Sequence, residues 1–194
     1  MEDGKSEGPL IIAMKGHPGT GKSTLAQSIA TSLKCPLIDK DDVRDSTYTL
    51  QLSVPPELLN DVSYDVVWRV ASTQLRLGLS VVLDSPLSRR AHLDRLLQLA
   101  ADAGARLLVV ECAPKDKAEW RRRLERRGTA EGASWHKPST WRDLERLLEG
   151  YGGCSAYDVG DVPKLVLDTT APVGVAELVS AVIRFIDSCR GPPL

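Results

Sequence analysis

The chain has 194 residues and carries 25 Lys and Arg against 26 Asp and Glu, a formal net charge of −1. This length is typical of one α/β domain, and 42% apolar with 26% charged residues is ordinary for a globular protein. Proteins that bind long nucleic acids usually carry an excess of Lys and Arg, so the charge balance disfavours such a partner.

Short apolar runs alternate with longer segments of helical spacing along the chain. Most of the runs are continuous, as in strands buried on both faces. Helical spacing fills the intervals, for example in the segment that stops at Gly104 and in residues 175–189. This alternation predicts a three-layer α/β fold, a parallel sheet between two layers of helices. The predicted strands are residues 10–14, 36–38, 80–84, 106–112 and 164–168.

The two ends and two glycine-bearing interruptions lack this pattern. Residues 1–9 and 190–194 are expected to be flexible termini, which leaves residues 10–189 as a single domain. The first interruption, residues 126–138, lies between two helical patterns and is predicted to be a lid. The second covers residues 149–163.

The stretch GHPGTGKS, residues 16–23, follows the first predicted strand and leads into a helical pattern. It satisfies G-x-x-x-x-G-K-[ST], in which glycines let backbone amides face a phosphate and the helix N-terminus adds partial positive charge. Lys22 is expected to reach the β and γ phosphates of ATP, and Ser23 to ligate Mg²⁺. The alternative is a glycine-rich turn without a ligand. The predicted ATP-binding residues of this phosphate loop are Gly16, Gly19, Thr20, Gly21, Lys22, Ser23 and Thr24.

Signatures of other nucleotide-binding classes are missing from the sequence. There is no N-K-x-D motif to read guanine, and the third predicted strand ends in Asp84-Ser85-Pro86, without the adjacent acidic residue that activates water in many ATPases. Ring-forming and helicase ATPases also need longer chains. A small phosphotransferase therefore fits the sequence best.

The stretch DKDDVRDS, residues 39–46, follows the second predicted strand. Functional residues gather at the carboxyl ends of parallel strands, so a carboxylate here can accept the proton of an attacking hydroxyl. Arg44, three residues after Asp41, can contact the acceptor. An acidic helix cap is the alternative explanation of these aspartates, and the choice between Asp41 and Asp42 as base stays open.

Five arginines crowd the stretch WRRRLERRGT, residues 120–129, just before the predicted lid. Arg123 and Arg127 lie four residues apart and share one helix face, from which they can close over ATP and stabilise the transferring phosphoryl group. A solvated basic face at a helix C-terminus is the alternative.

These motifs, in the order GHPGTGKS, DKDDVRDS, VVLDSPL and RRLERRGT, resemble the P-loop kinase group that includes the phage polynucleotide 5′-kinase domain and, more distantly, gluconate, shikimate and chloramphenicol phosphotransferases. The resemblance spans about residues 10–150 and implies a five-stranded parallel sheet of order 2-3-1-4-5. It further implies ATP and Mg²⁺ as cofactors, and it assigns Asp41 as the general base. Arg44 would contact the acceptor, Arg123 and Arg127 would contact ATP, and Asp84 would support Mg²⁺ and the acceptor. Residues 134–153 have no close counterpart in that group.

Several further residues are weaker candidates. Tyr48, Tyr64 or Trp68 can stack on a nucleobase, although aromatic residues on helices more often fill the core. His136 lies in a polar stretch, and residues 167–174 are expected to run along the adenine ring.

The four cysteines form no closely spaced pair, so a zinc site is not expected. No apolar run approaches the roughly 20 residues that a membrane-spanning helix needs, so a membrane span is not expected either. With no targeting signal at its start, the chain is expected to be cytoplasmic with reduced thiols.

The sequence thus predicts a kinase that transfers the γ-phosphoryl group to a hydroxyl of a small molecule, with a nucleoside or sugar-bearing metabolite favoured. Lys22, Asp41 and Arg127 would be its catalytic residues. The alternatives are a polynucleotide 5′-hydroxyl kinase and a non-catalytic ATP-binding switch or scaffold. The oligomeric state is left open.

Overall fold

A computed structural model of the chain describes residues 8–130 and 134–189. The terminal segments that are expected to be flexible therefore lie mostly outside the described residues, as do residues 131–133 of the predicted lid. The strands are β1 Leu10–Lys15, β2 Leu37–Asp39, β3 Val81–Asp84, β4 Arg106–Cys112 and β5 Lys164–Leu167. The α-helices are α1 Lys22–Leu33, α2 Lys40–Asp45, α3 Pro56–Arg76, α4 Arg90–Ala103, α5 Lys117–Gly128, α6 Trp141–Gly150 and α7 Val175–Cys189.

The five strands form one parallel sheet in the order β2-β3-β1-β4-β5. This confirms both the three-layer fold and the predicted strand order. Five strands lie where apolar runs predicted them, with bounds shifted by one residue at most. The shift matters at β2, because Asp39 ends the strand and caps the next helix instead of lying in a loop.

Alternate residues of the central strands point to opposite helical layers, as the pleat requires. Ile11 and Ala13 of β1 face α3 and α4, and they pack in a core with Trp68 and Leu96. Leu10, Ile12 and Met14 face α1 and α7 on the other side of the sheet. They belong to a second core, which includes Leu25, Ile29, Val182 and Ile186. All six residues of β1 are buried, which explains its unbroken apolar run.

Helices α5 and α6 form a smaller core of their own at the carboxyl end of the sheet. Leu124, Trp141 and Leu144 are buried there. The first residues of α6 are fixed by a capping box, in which Thr140 and Asp143 each bond the other's backbone amide. Residues 134–153, which have no close counterpart in the P-loop kinase group that the sequence resembles, therefore supply helix α6, and this helix packs on the arginine-rich helix α5.

Gly128, the last residue of α5, lies close to the backbone of Ser139, shortly before α6 begins. A Cβ added there would lie 2.3 Å from the Ser139 carbonyl oxygen and 2.7 Å from its Cα. We expect Gly128→Ala to lower the free energy of unfolding by about 1–3 kcal/mol, because backbone atoms must shift to admit the methyl group. Urea denaturation measures this change. Gly150→Ala at the end of α6 is the control, since nothing lies within 4 Å of its added Cβ. Equal effects of the two substitutions would contradict the close approach.

Candidate active site

The phosphate loop joins β1 to α1 in a conformation that presents its backbone to the cleft. Gly19 and Gly21 adopt φ values of 79° and 83°, which side-chain-bearing residues rarely reach. The Thr20 hydroxyl donates to the His17 carbonyl at 2.9 Å and braces the turn. No side chain caps the start of α1, and its first turn has no acidic residue. The amides at this helix start are therefore available to an anion, so the loop fits a phosphate group.

Side chains of α5 and α6 support the loop from outside. The Trp120 indole N–H donates to the Pro18 carbonyl at 2.8 Å, and Leu124 lies so near the loop that a Cβ added at Gly19 would be 3.0 Å from its Cδ1. The His17 ring stacks with Trp120 and Tyr151, with ring centroids 6.2 Å apart in both pairs. Burial lowers the pKa of His17, and Lys15 lowers it further. The stacked ring is thus kept neutral beside the loop.

Lys22 and Asp84 form a buried ion pair between the loop and the end of β3. The ammonium lies 2.5 Å from Asp84 Oδ1, and the two side chains are 9% and 1% exposed. Burial alone would lower the pKa of Lys22, but the Asp84 carboxylate outweighs it, so the pKa is raised. The second oxygen, Asp84 Oδ2, is buried without a hydrogen-bond partner among the described residues.

This unsatisfied carboxylate oxygen fits a divalent cation. Mg²⁺ is usually bound in proteins through one or two carboxylates together with phosphate oxygens and water. Asp84 is buried and is paired with Lys22, which lines the cleft together with Ser23. In the part of the chain that the structure describes, no group of three or more His, Cys, Asp and Glu residues is placed to hold a metal ion. Asp84 and Ser23 therefore suit a cation that enters with a nucleotide.

The aspartates after β2 divide into a helix cap and a cleft residue. Asp39 caps α2, since its side chain accepts from the Asp41 amide at 2.8 Å. Burial and the neighbouring Asp84 raise the pKa of Asp39 to about 6. Asp41 lines the cleft, whereas Asp42 is exposed and lies outside the cleft lining that the described residues form. The helix-cap interpretation therefore applies to Asp39, whereas the role of Asp41 as general base stays a prediction.

Asp41 carries two lysine ion pairs. Lys40 Nζ lies 2.8 Å from Oδ1, and Lys137 Nζ lies 2.7 Å from Oδ2. Burial alone would raise the pKa of Asp41, but the two lysines outweigh it and hold the pKa well below its usual value. Asp41 is therefore a charged group that can accept a hydrogen bond from a hydroxyl.

Arg44 is buried beside the cleft and not in the lining that the described residues form. Its Nη1 donates to the Thr47 hydroxyl at 3.1 Å, and its guanidinium lies 4.6 Å from the centre of the Trp135 ring. Trp135 in turn contacts Tyr48 edge-on. An acceptor contact of Arg44 stays a prediction, and it requires Trp135 to move.

The arginines of α5 separate into two groups. Arg123 Nη1 donates to the Thr169 carbonyl at 2.7 Å, and Arg127 Nη2 donates to the Pro138 carbonyl at 3.1 Å; both residues line the cleft. Arg121 and Arg122 instead point to solvent and pair with glutamates of their own helix. Burial lowers the pKa of Arg127, and the Asp41 charge opposes this shift.

The cleft has a volume of about 900 Å³ and brings together the phosphate loop, Asp41, Arg123 and Arg127. Of the three aromatic candidates, Tyr64 lines it, whereas Tyr48 and Trp68 do not among the described residues. Thr169 and Val173 of the predicted adenine segment also line it. His136 lies at the cleft wall, 3.4 Å from Asp45 Oδ1. The cleft lining also includes residues that were not among the candidates from the sequence, namely Lys40, Asn60, Arg89, His92 and Lys137. Lys40 and Arg89 follow the ends of β2 and β3, so the rule that functional residues gather at strand ends indicates them. Asn60, His92 and Lys137 are brought to the cleft by the tertiary fold.

His92 gives the site a pH-dependent stability. Burial, followed by the Arg89 charge, lowers its pKa from 6.5 to about 4, and its ring lies 3.9 Å from Tyr64. A base with a lowered folded-state pKa contributes stability that is present above pH 6.5 and is lost as the pH falls toward 4. Between pH 7 and 4.5 the free energy of unfolding should fall by about 1–2 kcal/mol less in His92→Phe than in the unchanged protein. The figure takes into account that the His92 side chain is partly exposed to solvent.

Denaturant titrations of both proteins across this range measure the difference. Comparison with the unchanged protein cancels the opposite contribution of Asp39, whose raised pKa adds stability as the pH falls through about 6. Parallel pH curves for the two proteins would contradict the assignment to His92.

Comparisons with known proteins agree with this geometry. A family model described as AAA domain matches residues 11–150. The fold is shared with a provisionally named kinase of Chloroflexus aurantiacus, at 23% identity and a TM-score of 0.70, covering 94% of this chain and 98% of the other. A gluconokinase of Sinorhizobium meliloti superimposes with a TM-score of 0.61 at 20% identity, covering 95% of each chain.

A third structure of the same fold is the Mycobacterium tuberculosis APS kinase, solved in complex with AMPPNP and APS. It has 16% identity and a TM-score of 0.59 over 94% of this chain and 99% of that one. No curated protein matches the sequence. None of the described helices combines the length and the apolar character needed to cross a membrane.

Proposed function

The chain belongs to the AAA domain family, within the P-loop kinase group, and from this membership and the cleft we propose an ATP- and Mg²⁺-dependent kinase that phosphorylates a hydroxyl of a small molecule. The observation that carries the proposal is that Asp41 and Lys22, the ion-pair partner of the buried Asp84, line one cleft with the phosphate loop. A triphosphate donor and a hydroxyl acceptor can thus meet there.

The donor half of the cleft supplies positive charge to the phosphates. Loop amides and Lys22 bind them, with Lys22 leaving Asp84 for the β and γ oxygens. When bound between Asp84 and Ser23, Mg²⁺ would neutralise charge that develops on the phosphate oxygens. Arg123 and Arg127 close the site from α5, and Arg127 braces the transferring group. Thr169 and Val173 lie where the base can rest.

Asp41 orients the attacking hydroxyl in the acceptor half. As a carboxylate it accepts the hydroxyl's hydrogen bond, which directs an oxygen lone pair toward the γ phosphorus. The new P–O bond forms as the bond from the γ phosphorus to the β–γ bridging oxygen breaks, so that ADP leaves and Asp41 receives the hydroxyl proton. Its low pKa makes it a weak base. Orientation is therefore its larger contribution, as suits a phosphoryl transfer whose transition state is loose.

The walls of the acceptor half favour a compact, polar substrate. Tyr64 and His92 place two aromatic rings side by side, tilted by 32° with centroids 3.9 Å apart, against which a nucleobase or sugar ring can pack. Asn60 adds an amide that can bond hydroxyl groups. Charged residues of both signs line this half, namely Lys40, Arg89 and Lys137 with Asp41, Glu57 and Asp61. This mixture suits a nucleoside or sugar-bearing metabolite better than a long polyanion.

Incubation with γ-labelled ATP, Mg²⁺ and a panel of nucleosides, sugars and polyols tests the proposal. We expect a labelled phosphomonoester of at least one compound, dependent on Mg²⁺. A 5′-hydroxyl oligonucleotide belongs in the same panel, and preferential labelling of it would replace the small-molecule acceptor. Tight ATP binding without any labelled product would overturn the kinase proposal in favour of a nucleotide-binding switch.

A further inference from the structure

Residues 134–138, which we call the strap, lie across the acceptor side of the cleft. Ser134 Oγ donates to Asp45 Oδ1 at 2.7 Å. Trp135 covers the guanidinium of Arg44, and the Pro138 carbonyl accepts from Arg127. The strap thus connects α2, which carries Asp41, with the arginine helix α5.

Three strap residues, His136, Lys137 and Pro138, line the cleft, and of these Lys137 lies closest to Asp41. Its ammonium lies 2.7 Å from Asp41 Oδ2, while Lys40 contacts the other oxygen. Each carboxylate oxygen of the proposed hydroxyl-orienting group is therefore engaged by a cation. A water molecule at Asp41 must compete with an ammonium for these oxygens.

The two lysines differ in how firmly they are anchored. Lys40 is 5% exposed, follows the strand end directly, lies over the Tyr64 ring and reaches Asn60 Oδ1 at 3.5 Å. The side chain of Lys137 is 22% exposed, and Asp41 is the partner that the structure gives its ammonium. Lys137 is therefore the cation that an incoming acceptor can displace.

We propose that Lys137 is a positioning residue that occupies Asp41 in the absence of acceptor and thereby suppresses phosphoryl transfer from ATP to water. This inference rests on the proposed kinase function. In the suppressed reaction, a water oxygen bonds to the γ phosphorus as the bond to the β–γ bridging oxygen breaks. The water proton passes to Asp41 and then to solvent, and the products are ADP and inorganic phosphate. An acceptor that bonds Asp41 and fills the cleft displaces Lys137, whereas a single water does not.

Steady-state ATP hydrolysis without any acceptor measures this role. We expect Lys137→Ala to raise the rate about three- to tenfold, since Asp41 Oδ2 is freed to orient water. Trp135→Ala, which loosens the strap but keeps the lysine, should raise it in the same direction. Lys137→Arg keeps the positive charge and should restore suppression to within about twofold of the unchanged protein. Asp41→Asn combined with Lys137→Ala should abolish the rise.

Lys164→Ala is the matched control, because Lys164 also pairs with a carboxylate, Glu111, at a similar side-chain exposure but away from the cleft. Its hydrolysis rate should not change. An unchanged rate in Lys137→Ala, or a rise that persists with Asp41→Asn, would overturn the inference. If Lys137→Ala still phosphorylates an acceptor at unchanged background hydrolysis, the kinase proposal stands and the role of Lys137 fails. If no variant transfers phosphate to water or to any acceptor, both fail.

Discussion

Lys22→Met is expected to lower the rate of phosphoryl transfer from ATP by about 100- to 1,000-fold, the cost of removing one cation from the developing charge. The same substitution should lower the free energy of unfolding of the nucleotide-free protein by about 3–5 kcal/mol. The reason is that Asp84, 1% exposed, loses its ion-pair partner inside the protein. Initial rates with labelled ATP and urea denaturation measure the two effects separately.

The double substitution Lys22→Met with Asp84→Asn is the control that separates stability from catalysis. It removes both charges, so most of the lost unfolding free energy should return. Activity should not return, because neither the phosphates nor the cation regains its partner. A double variant as unstable as Lys22→Met would show that the ion pair is not what the single substitution breaks. Activity that survives in either protein would exclude the role assigned to Lys22.

Asp41→Asn is expected to lower kcat about 100- to 10,000-fold with any small-molecule acceptor, because an amide cannot take the hydroxyl proton and orients the hydroxyl poorly. The KM for ATP should change less than about threefold, since the donor is bound by the phosphate loop and α5. Comparison of kcat and KM for both substrates measures this separation.

Asp42→Asn is the matched control, one residue away on the same helix. Asp42 is exposed and outside the described cleft lining, so its substitution should leave kcat within about twofold. Equal losses in the two variants would indicate damage to α2, and a larger loss in Asp42→Asn would transfer the role of base to that residue. Circular dichroism of both proteins checks that α2 and its surroundings remain folded.

Much of the donor half of the site could be predicted from local sequence. The motif residues of the phosphate loop lie within eight consecutive positions: Gly16, Gly21, Lys22 and Ser23. The strand before the loop and the helix after it are also adjacent in sequence. Strand order came from resemblance and is confirmed. The pairing of Lys22 with Asp84 joins residues 62 positions apart, so no local pattern could reveal it.

The acceptor half was less accessible because it is assembled from separate elements. Asp41 comes from α2, Tyr64 from α3, His92 from α4 and Lys137 from the strap. The spacing that made Arg44 an acceptor candidate correctly describes one helical turn. It could not show that Trp135, more than ninety residues later, covers that guanidinium. Likewise, the aromatic candidates could be separated only by seeing which one faces the cleft.

By itself, the sequence determined the class of sheet, the phosphate loop and the arginine-rich helix, since each depends on residues within a few turns or one strand of one another. Only the tertiary structure decided which aspartate caps and which lines the cleft, where the arginines point, and that a lysine from the strap meets Asp41. The physical reason is that ion pairs and ring contacts act over a few ångströms of space, and folding alone brings distant chain segments within that range.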